Sequence, residues 1–359
     1  MATIYQVFVY SPSGTRTHIL SDIRGIEITH KINDVDEIIL RVPALTSTPV
    51  VDSIVEIYRR LDGLEWYKEA VGFLRTFQDE FTEGGRRLVT LYCRGLLDLI
   101  HRRSILYPSV SAYTLKSGPG ETVILEYVNE NAGPGASAAT RKRDGVTYNL
   151  TLAPDNARGT TWTGEKVWIN LLDAIRDVAL GSGLIFRVVQ TGSAVNQFLF
   201  EVYESEELDL VFSTTYGNIA MPVYSIQRAD ESTVVTVLGD GEGTARRTLT
   251  VEHSSSLDSP WNDIESLTDV HAKEATLSEM QTKADGYLKG SIAEEDFSCK
   301  VVQVPTFRYG EEYHFTDTLL VQFLGRSFQR RINRVYLNID AENAERIDIE
   351  LTQVGEAGS

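Results

Sequence analysis

The chain has 359 residues, enough for two or three hydrophobic cores, since single cores rarely grow beyond about 250–300 residues. Its net charge is −17, and residues 201–300 alone carry 20 acidic against 7 basic side chains, which excludes a basic reader of nucleic-acid phosphates. Two cysteines, Cys93 and Cys299, are too few for a disulfide framework or a zinc site, and no apolar run reaches the roughly 18–20 residues of a membrane helix. The start, Met1–Gly14, lacks a basic segment before its apolar run, so no secretion signal and no membrane insertion are expected. With 16 Tyr, 13 Phe and many β-branched residues, the composition favours strands.

The first block, Thr3–Cys93, reads as strands throughout. Ile4–Tyr10 precedes the turn at Ser11–Gly14; Gly25–Ile32 and Glu37–Val42 flank the polar tip Asn33–Asp36; Val51–Arg60 leads to the turn at Leu61–Gly63. Positions 38, 40 and 42 alternate toward one core. Gly72–Phe81 and Arg87–Cys93 form a hairpin around Thr82-Glu83-Gly84-Gly85, and the second strand runs into a short helix, Gly95–Arg103. Leu96, Leu97 and Ile100 share one helix face, and Arg102 and Arg103 suit its carbonyl end. Cys93, in LVTLYC, reads as a small buried hydrophobe.

From Ser104 to Glu204 the pattern becomes mixed. Thr122–Asn131 and Glu165–Leu180 are predicted helices, the second with Trp168, Leu171, Leu172, Ile175 and Val178 as one apolar stripe that makes Trp168 a core residue. Between them lie a flexible link, Gly133–Thr140, and the basic triplet Arg141-Lys142-Arg143, either a solvated loop or a partner contact, before the strand Val146–Leu152. Strands follow at Leu184–Gln190 and Gln197–Tyr203. Beyond the acidic run Glu204–Asp209, strands are predicted at Pro222–Gln227, Thr233–Leu238 and Arg246–Glu252, an irregular connection at Ser254–Asp269, and a helix at Ala272–Lys289. That helix carries Leu277, Met280, Ala284 and Tyr287/Leu288 on one face. The last strands are Phe297–Gln303, Thr318–Phe323, Arg331–Ile339 and Ile347–Gln353. Residues 55–95 and 319–355 echo one another as strand, glycine turn, strand, polar tip, strand: either two modules of one type, or the repetition that any antiparallel hairpin shows.

No catalytic motif emerges: GxxxxGK[ST], HExxH, GxSxG and CxxC are all missing. The run Gly239–Gly243 has no following lysine in register and reads as a hairpin turn. Asn33–Glu37 holds carboxylates enough to interest a cation but lacks the loop glycine and spacing of an EF-hand. His253 stands beside Ser254–Ser256 and Asp258, yet neighbours in sequence rarely make a catalytic triad. Among the tryptophans, Trp66, Trp162 and Trp261 fall in loop-like sequence and suit an interface or a sugar-binding groove. No catalytic residue, cofactor or metal ligand is therefore assigned.

Several segments together resemble the central tail-hub, or baseplate-hub, proteins of long-tailed phages: CRGLLDLIHRRSILYP at 93–108, WINLLDAIRDVALGSGLIFRV at 168–188, LVFSTTYGNI at 210–219, VLGDGEGTARRT at 237–248 and FRYGEEYHF at 307–315. The likeness covers nearly the whole chain in its order of parts. One departure is Thr316-Asp317, where the family usually shows Gly-Asp before a strand. The resemblance implies a mainly β protein with an α+β insert: a first tube-like β-barrel with its closing helix at 1–104, a mixed α/β insert at 105–205, and a second barrel or sandwich at 206–359 that includes the helix 272–289. It implies a structural virion component without enzymatic activity, found at the phage tail tip. The expected assembly is a homotrimeric ring that continues the tail tube, meets the distal tail protein or tube on one side and spike or fibre proteins on the other, and adjoins the tape-measure protein. DNA would pass through its lumen without specific binding, and the acidic surplus, otherwise a plain soluble surface, would keep that DNA from adhering. Because the sequence ends soon after its last strand, any lytic activity is expected from another protein. The alternatives are a β-rich cell-wall glycoside hydrolase, which needs two close carboxylates, and a carbohydrate-binding tail module.

Overall fold

Strand parity decides most of the architecture. In β1 (Ile4–Tyr10), β2 (Arg16–Leu20), β3 (Gly25–Lys31), β4 (Glu37–Val42) and β5 (Ile54–Arg60), alternate apolar side chains such as Val7, Val9, Ile26, Ile28, Ile38, Leu40 and Val42 are buried. The structure, a computed structural model, describes residues 3–353 apart from 21, 46, 62, 107–114, 137–148, 270–275, 292–293 and 343. The predicted hairpin is present as β6 (Tyr67–Phe81) and β7 (Arg87–Gly95), its tip closed by Gly85, whose φ is 70° and whose N–H reaches the Thr82 carbonyl at 2.8 Å. Lower in the hairpin Gly72 faces Gly95, and a Cβ at Gly95 would lie 2.7 Å from that of Asp36. Only glycine permits this close approach.

The chain forms two compact units, 1–221 with 299–359, and 222–298. In the first, the helix expected at 95–103 shortens to α1 (Asp98–His101), with Leu96, Leu97 and Ile100 buried as predicted. Four residues make little dipole; Arg102 instead donates to Asp98 (2.7 Å) and Asp52 (2.8 Å) and lies over the Phe73 ring. Residues 105–205 contribute β8 (Leu115–Pro119), α2 (Gly120–Asn131), β9 (Leu150–Leu152), β10 (Thr161–Glu165), α3 (Leu171–Ser182), β11 (Ile185–Gln190) and β12 (Phe198–Tyr203). Their helices and the β11–β12 hairpin share one apolar core with Ile54 and Phe73 of the sheet, where Phe73 meets Phe198 edge to face at 5.6 Å.

Helix α3 begins six residues later than the apolar stripe predicts. The backbone of 168–171 is taken by 103–105: Trp168 N–H binds the Ile105 carbonyl, Ile105 N–H the Ile169 carbonyl, and Leu171 N–H the Arg103 carbonyl. Asn170 then caps the helix through Leu172 N–H at 2.9 Å, and Gly183 ends it with φ 71°. Trp168 is consequently outside the helix, at φ 56° and 69% exposed, and is not a core residue as its place in the stripe suggested.

Strand β13 (Glu207–Ser213) leads through β14 (Ile219–Gln227) into the second unit, which holds β15 (Val234–Leu238), β16 (Thr248–Glu252), β17 (Glu265–Asp269) and α4 (Leu277–Gly290). Central β15 is antiparallel to β16 and parallel to β17, and Met280, Ala284 and Leu288 of α4 pack on Val235 and Val237. A capping box between Thr276 and Glu279 starts α4, whose Leu277 is exposed; the earlier start predicted at Ala272 falls outside the described residues. The expected irregular connection after β16 contains a 3₁₀ turn, Ser254–Asp258, and ends in β17. β14 pairs with β18 (Glu294–Val301), and the chain closes with β19 (Thr318–Phe323), β20 (Arg326–Ile339) and β21 (Glu345–Gln353).

Strands from the two ends of the chain share one eleven-stranded sheet, in the order β13-β19-β20-β3-β4-β7-β6-β5-β1-β2 with β21 on β20. The long strand β20 makes this possible, pairing with β19 through Arg326–Arg331 and with β3 through Arg334–Ile339. The hydrogen-bonded path is open, with no closed barrel among the described residues. Both halves of the internal echo are three-stranded antiparallel meanders in this sheet, β5-β6-β7 and β19-β20-β21.

Candidate functional site

Where the two ends of the chain meet, inward-facing parity places charge instead of hydrocarbon. Arg59 follows Val55 and Ile57 on the inner face of β5 and is 1% exposed; His30 follows Ile26 and Ile28 on β3. Arg59 donates from Nε to Glu345 Oε1 (2.7 Å) and from Nη2 to Oε2 (2.6 Å), a bidentate pair across 286 residues of sequence. Its Nη1 reaches the Tyr67 hydroxyl and the Tyr309 carbonyl (3.1 Å), with Glu69 at 3.6 Å. Tyr67 and Tyr309 donate to opposite oxygens of Glu69, at 2.8 and 3.2 Å, and Tyr5 donates to Glu345. His30 bridges Asp36 (2.9 Å) and Glu69 (3.3 Å) through its two nitrogens, with Phe315 against its ring. Gly310 completes the packing: a Cβ there would lie 2.3 Å from the Tyr67 hydroxyl.

The electrostatics are those of a clamp. Burial alone would discharge His30, but Asp36 and Glu69 outweigh it and push its pKa up to about 10. Burial opposes ionisation of Glu69 too, yet the bonds from His30, with the Arg59 charge and Tyr67, hold its carboxyl below the usual range. Burial also disfavours charge on Arg59, and Glu345 and the neighbouring tyrosines reverse that, so the guanidinium is held more firmly than usual. A Glu locked in its ionised form is a poor proton donor, and both His30 nitrogens are engaged, so these groups suit holding strands together rather than acid–base work. Beside them opens a cleft of about 410 Å³, lined among others by His30, Lys68, Phe186, Tyr203, His314 and Phe315.

The residues singled out by sequence disperse. Asn33, at φ 53°, uses its amide on the Leu184 carbonyl (3.1 Å) and Phe186 N–H (2.8 Å), tying the turn to the start of β11. Asp34, Asp36 and Glu37 engage separate partners, Arg176 (2.9 Å), His30 and Lys31 (2.6 Å). Among the described residues no three His, Cys, Asp or Glu side chains gather as a metal site. His253 binds Ser255 through Nδ1 (2.7 Å to Oγ) and caps the 3₁₀ turn, so the seryl neighbour is a turn partner. In the Gly239–Gly243 turn, Gly239 N–H binds the Arg247 carbonyl and Arg246 Nε the Gly239 carbonyl, which closes the loop on itself. Cys93 and Cys299 are free thiols, and burial pushes their pKa values up to about 12 and 11. Trp66 stacks under Arg60, Trp162 packs edge-on to Tyr127, and Trp261 is exposed. Arg141-Lys142-Arg143 lies outside the described residues. The clamp itself escaped the sequence reading, although the parity of Val55-Ile57-Arg59 and Ile26-Ile28-His30 carried the signal.

The fold is that of phage and prophage tail proteins. It superposes on prophage tail protein gp18 from Listeria monocytogenes (TM-score 0.55, 11% identity, 99% of this chain and 95% of that one) and on a 43 kDa tail protein of prophage MuSo2 from Shewanella oneidensis (0.57, 11%, 98% and 100%). A tail protein from Neisseria meningitidis is similar as well (0.54, 13%, 98% of each). The model of the Siphovirus ReqiPepy6 Gp37-like protein family matches residues 6–351, and the chain belongs to that family. No curated protein matches it in sequence. It is thus a member of a siphovirus protein family, with a fold shared by phage and prophage tail proteins.

Proposed function

We propose that this chain is the tail hub, a homotrimeric ring at the distal end of the tail that continues the tube and joins it to the tip proteins. The observation that carries the reading is the pair of matched meanders, β5-β6-β7 and β19-β20-β21, in one sheet of one subunit. Two like modules per chain give six positions around a ring of three chains, which is what continuation of a sixfold tube requires. The buried Arg59–Glu69–Glu345 clamp supports it, because modules from opposite ends of a chain must keep their register under load. The segments 1–104, 105–205 and 206–359 are the first tube module, the insert and the second tube module in this reading. Its partners are the distal tail protein or tube, the tape-measure protein and the spike or fibre proteins. DNA passes the lumen without specific binding, the acidic surplus favouring slippage over adhesion.

Light scattering on the purified 40.1 kDa chain, with negative-stain images of the same fraction, tests this. A ring of about 120 kDa, three chains, is the expected result. A compact monomer that also clears cell-wall polymer would replace the hub with a hydrolase.

A further inference from the structure

The second unit carries a loop built inside out. Between β16 and β17, residues 253–264 leave and return at one buried residue, Thr233. His253 N–H binds the Thr233 carbonyl (2.7 Å), Thr233 N–H binds the Ile264 carbonyl (3.0 Å), and the Thr233 hydroxyl donates to the Asn262 carbonyl (2.5 Å) while accepting from Ile264 N–H (2.9 Å). Inside the loop, Asn262 Nδ2 binds the Ser255 carbonyl (2.7 Å), Ser256 N–H the His253 carbonyl (3.0 Å), and Trp261 N–H the Ser259 hydroxyl (3.3 Å). Compact loops whose ends meet in this way are often functional. Here the polar groups are spent on the frame and the large apolar side chains point to water: Leu257 is 85% and Trp261 89% exposed.

A scattered exposed leucine needs no explanation, but a tryptophan and a leucine four positions apart on a fixed frame do. Tryptophan is the residue most enriched among interface anchors, and a pre-ordered loop loses little entropy on docking. The charge around it selects the partner. Glu252, Asp258, Asp263 and Glu265 are exposed, and no Lys or Arg occurs between Thr248 and Ala272. The whole unit, 222–298, has fifteen acidic against six basic residues. Such a rim repels nucleic acid, anionic wall polymers, anionic lipid and a second copy of itself, and attracts Lys and Arg.

We propose that Leu257 and Trp261 form a docking knob for a protein partner that offers an apolar pocket rimmed by basic side chains. The proposal is independent of the ring, since it concerns one loop of a single chain.

The test uses the full chain and three probes: a cationic amphipathic peptide of Leu and Lys, its counterpart with Glu for Lys, and a neutral chito-oligosaccharide. Binding is read by calorimetry, and the contact is located by hydrogen exchange. The expected result is saturable binding of the cationic peptide with slowed exchange in 253–264. Trp261→Ser and Leu257→Ser should each weaken it about tenfold or more, and 0.5 M salt should weaken it too. Both side chains are exposed, so unchanged circular dichroism checks that the variants fold. Absence of cationic-peptide binding overturns the proposal, as does equal binding by the variants or slowed exchange elsewhere alone. Binding of the oligosaccharide through Trp261, in place of the peptide, overturns it in favour of a sugar platform.

Discussion

Removing Glu345 should be among the most damaging single changes in the first unit. Arg59 is 1% exposed, and its two strongest bonds, at 2.7 and 2.6 Å, end on that one carboxylate. Leaving a buried charge without its partner typically costs about 3–5 kcal/mol. The Glu345 side chain is 14% exposed and Glu69 stays 3.6 Å from Arg59, so water and a second carboxylate soften the loss toward the lower end. Glu345→Ala should therefore cost about 3 kcal/mol. Arg59→Met should cost more, because it strands Glu69 and Glu345 together. The double variant Arg59→Met/Glu345→Leu should fall short of the sum by about 2 kcal/mol or more, since the second change removes a charge that the first left unpaired. Urea unfolding followed by fluorescence and circular dichroism measures these differences, and hydrogen exchange at β20 and β21 assigns them to the right strands. Single variants that each cost under about 1 kcal/mol, or costs that simply add, would refute the clamp.

His30 gains its proton affinity on folding, with a pKa raised from 6.5 to about 10, so its contribution is complete below pH 6.5 and is lost as the pH climbs through about 10. Stability should fall across that window with a slope of up to about 1.4 kcal/mol per pH unit, and a His30→Gln protein with the same slope would show that another group is responsible. Leu324 occupies the first position of a two-residue hairpin turn at φ 49°, followed by Gly325 at 74°, and is 78% exposed. Asparagine tolerates that conformation better and no packing is lost, so Leu324→Asn should raise stability by about 1 kcal/mol; a lower melting temperature would contradict the turn assignment. Cys93, with its thiol pushed to about 12 and buried, should resist alkylation at pH 8 in the folded protein and react on unfolding; rapid labelling of Cys93 in folded protein, located by peptide mapping, would mean the strand is open.

The sequence made strands at both ends of the chain legible because one face of each is buried and the alternation survives: Ile4–Tyr10, Glu37–Val42 and Thr318–Phe323 are strands with the predicted limits. It failed where hydrogen bonds from distant residues override local pattern. Trp168 continues the apolar stripe of α3, but its backbone and that of its neighbours pair with residues 103–105 in place of helical bonds. Strands β8, β10 and β17 lack a clear alternation and owe their pairing to partners supplied from elsewhere in the chain. The clamp was half visible. Parity pointed Arg59 and His30 inward, but nothing local reveals that the carboxylate answering Arg59 stands at position 345.

Position 316 joins the two kinds of information. The resemblance to tail hubs leads one to expect glycine there, and the backbone says why: Thr316 is held at φ 79°, in the left-handed region that suits glycine and strains a β-branched residue. The turn is held from both sides. Asp317 accepts from His314 N–H at 2.6 Å, and Thr316 N–H and Asp317 C=O engage the two sides of Ile332 at 3.3 and 2.9 Å, which sets β19 against β20. The strain is therefore borne two residues before β19 opens the second meander, at a residue that lines the cleft with Tyr203. A turn held in a strained conformation by its neighbours is evidence that its geometry, rather than its sequence, is what the sheet requires.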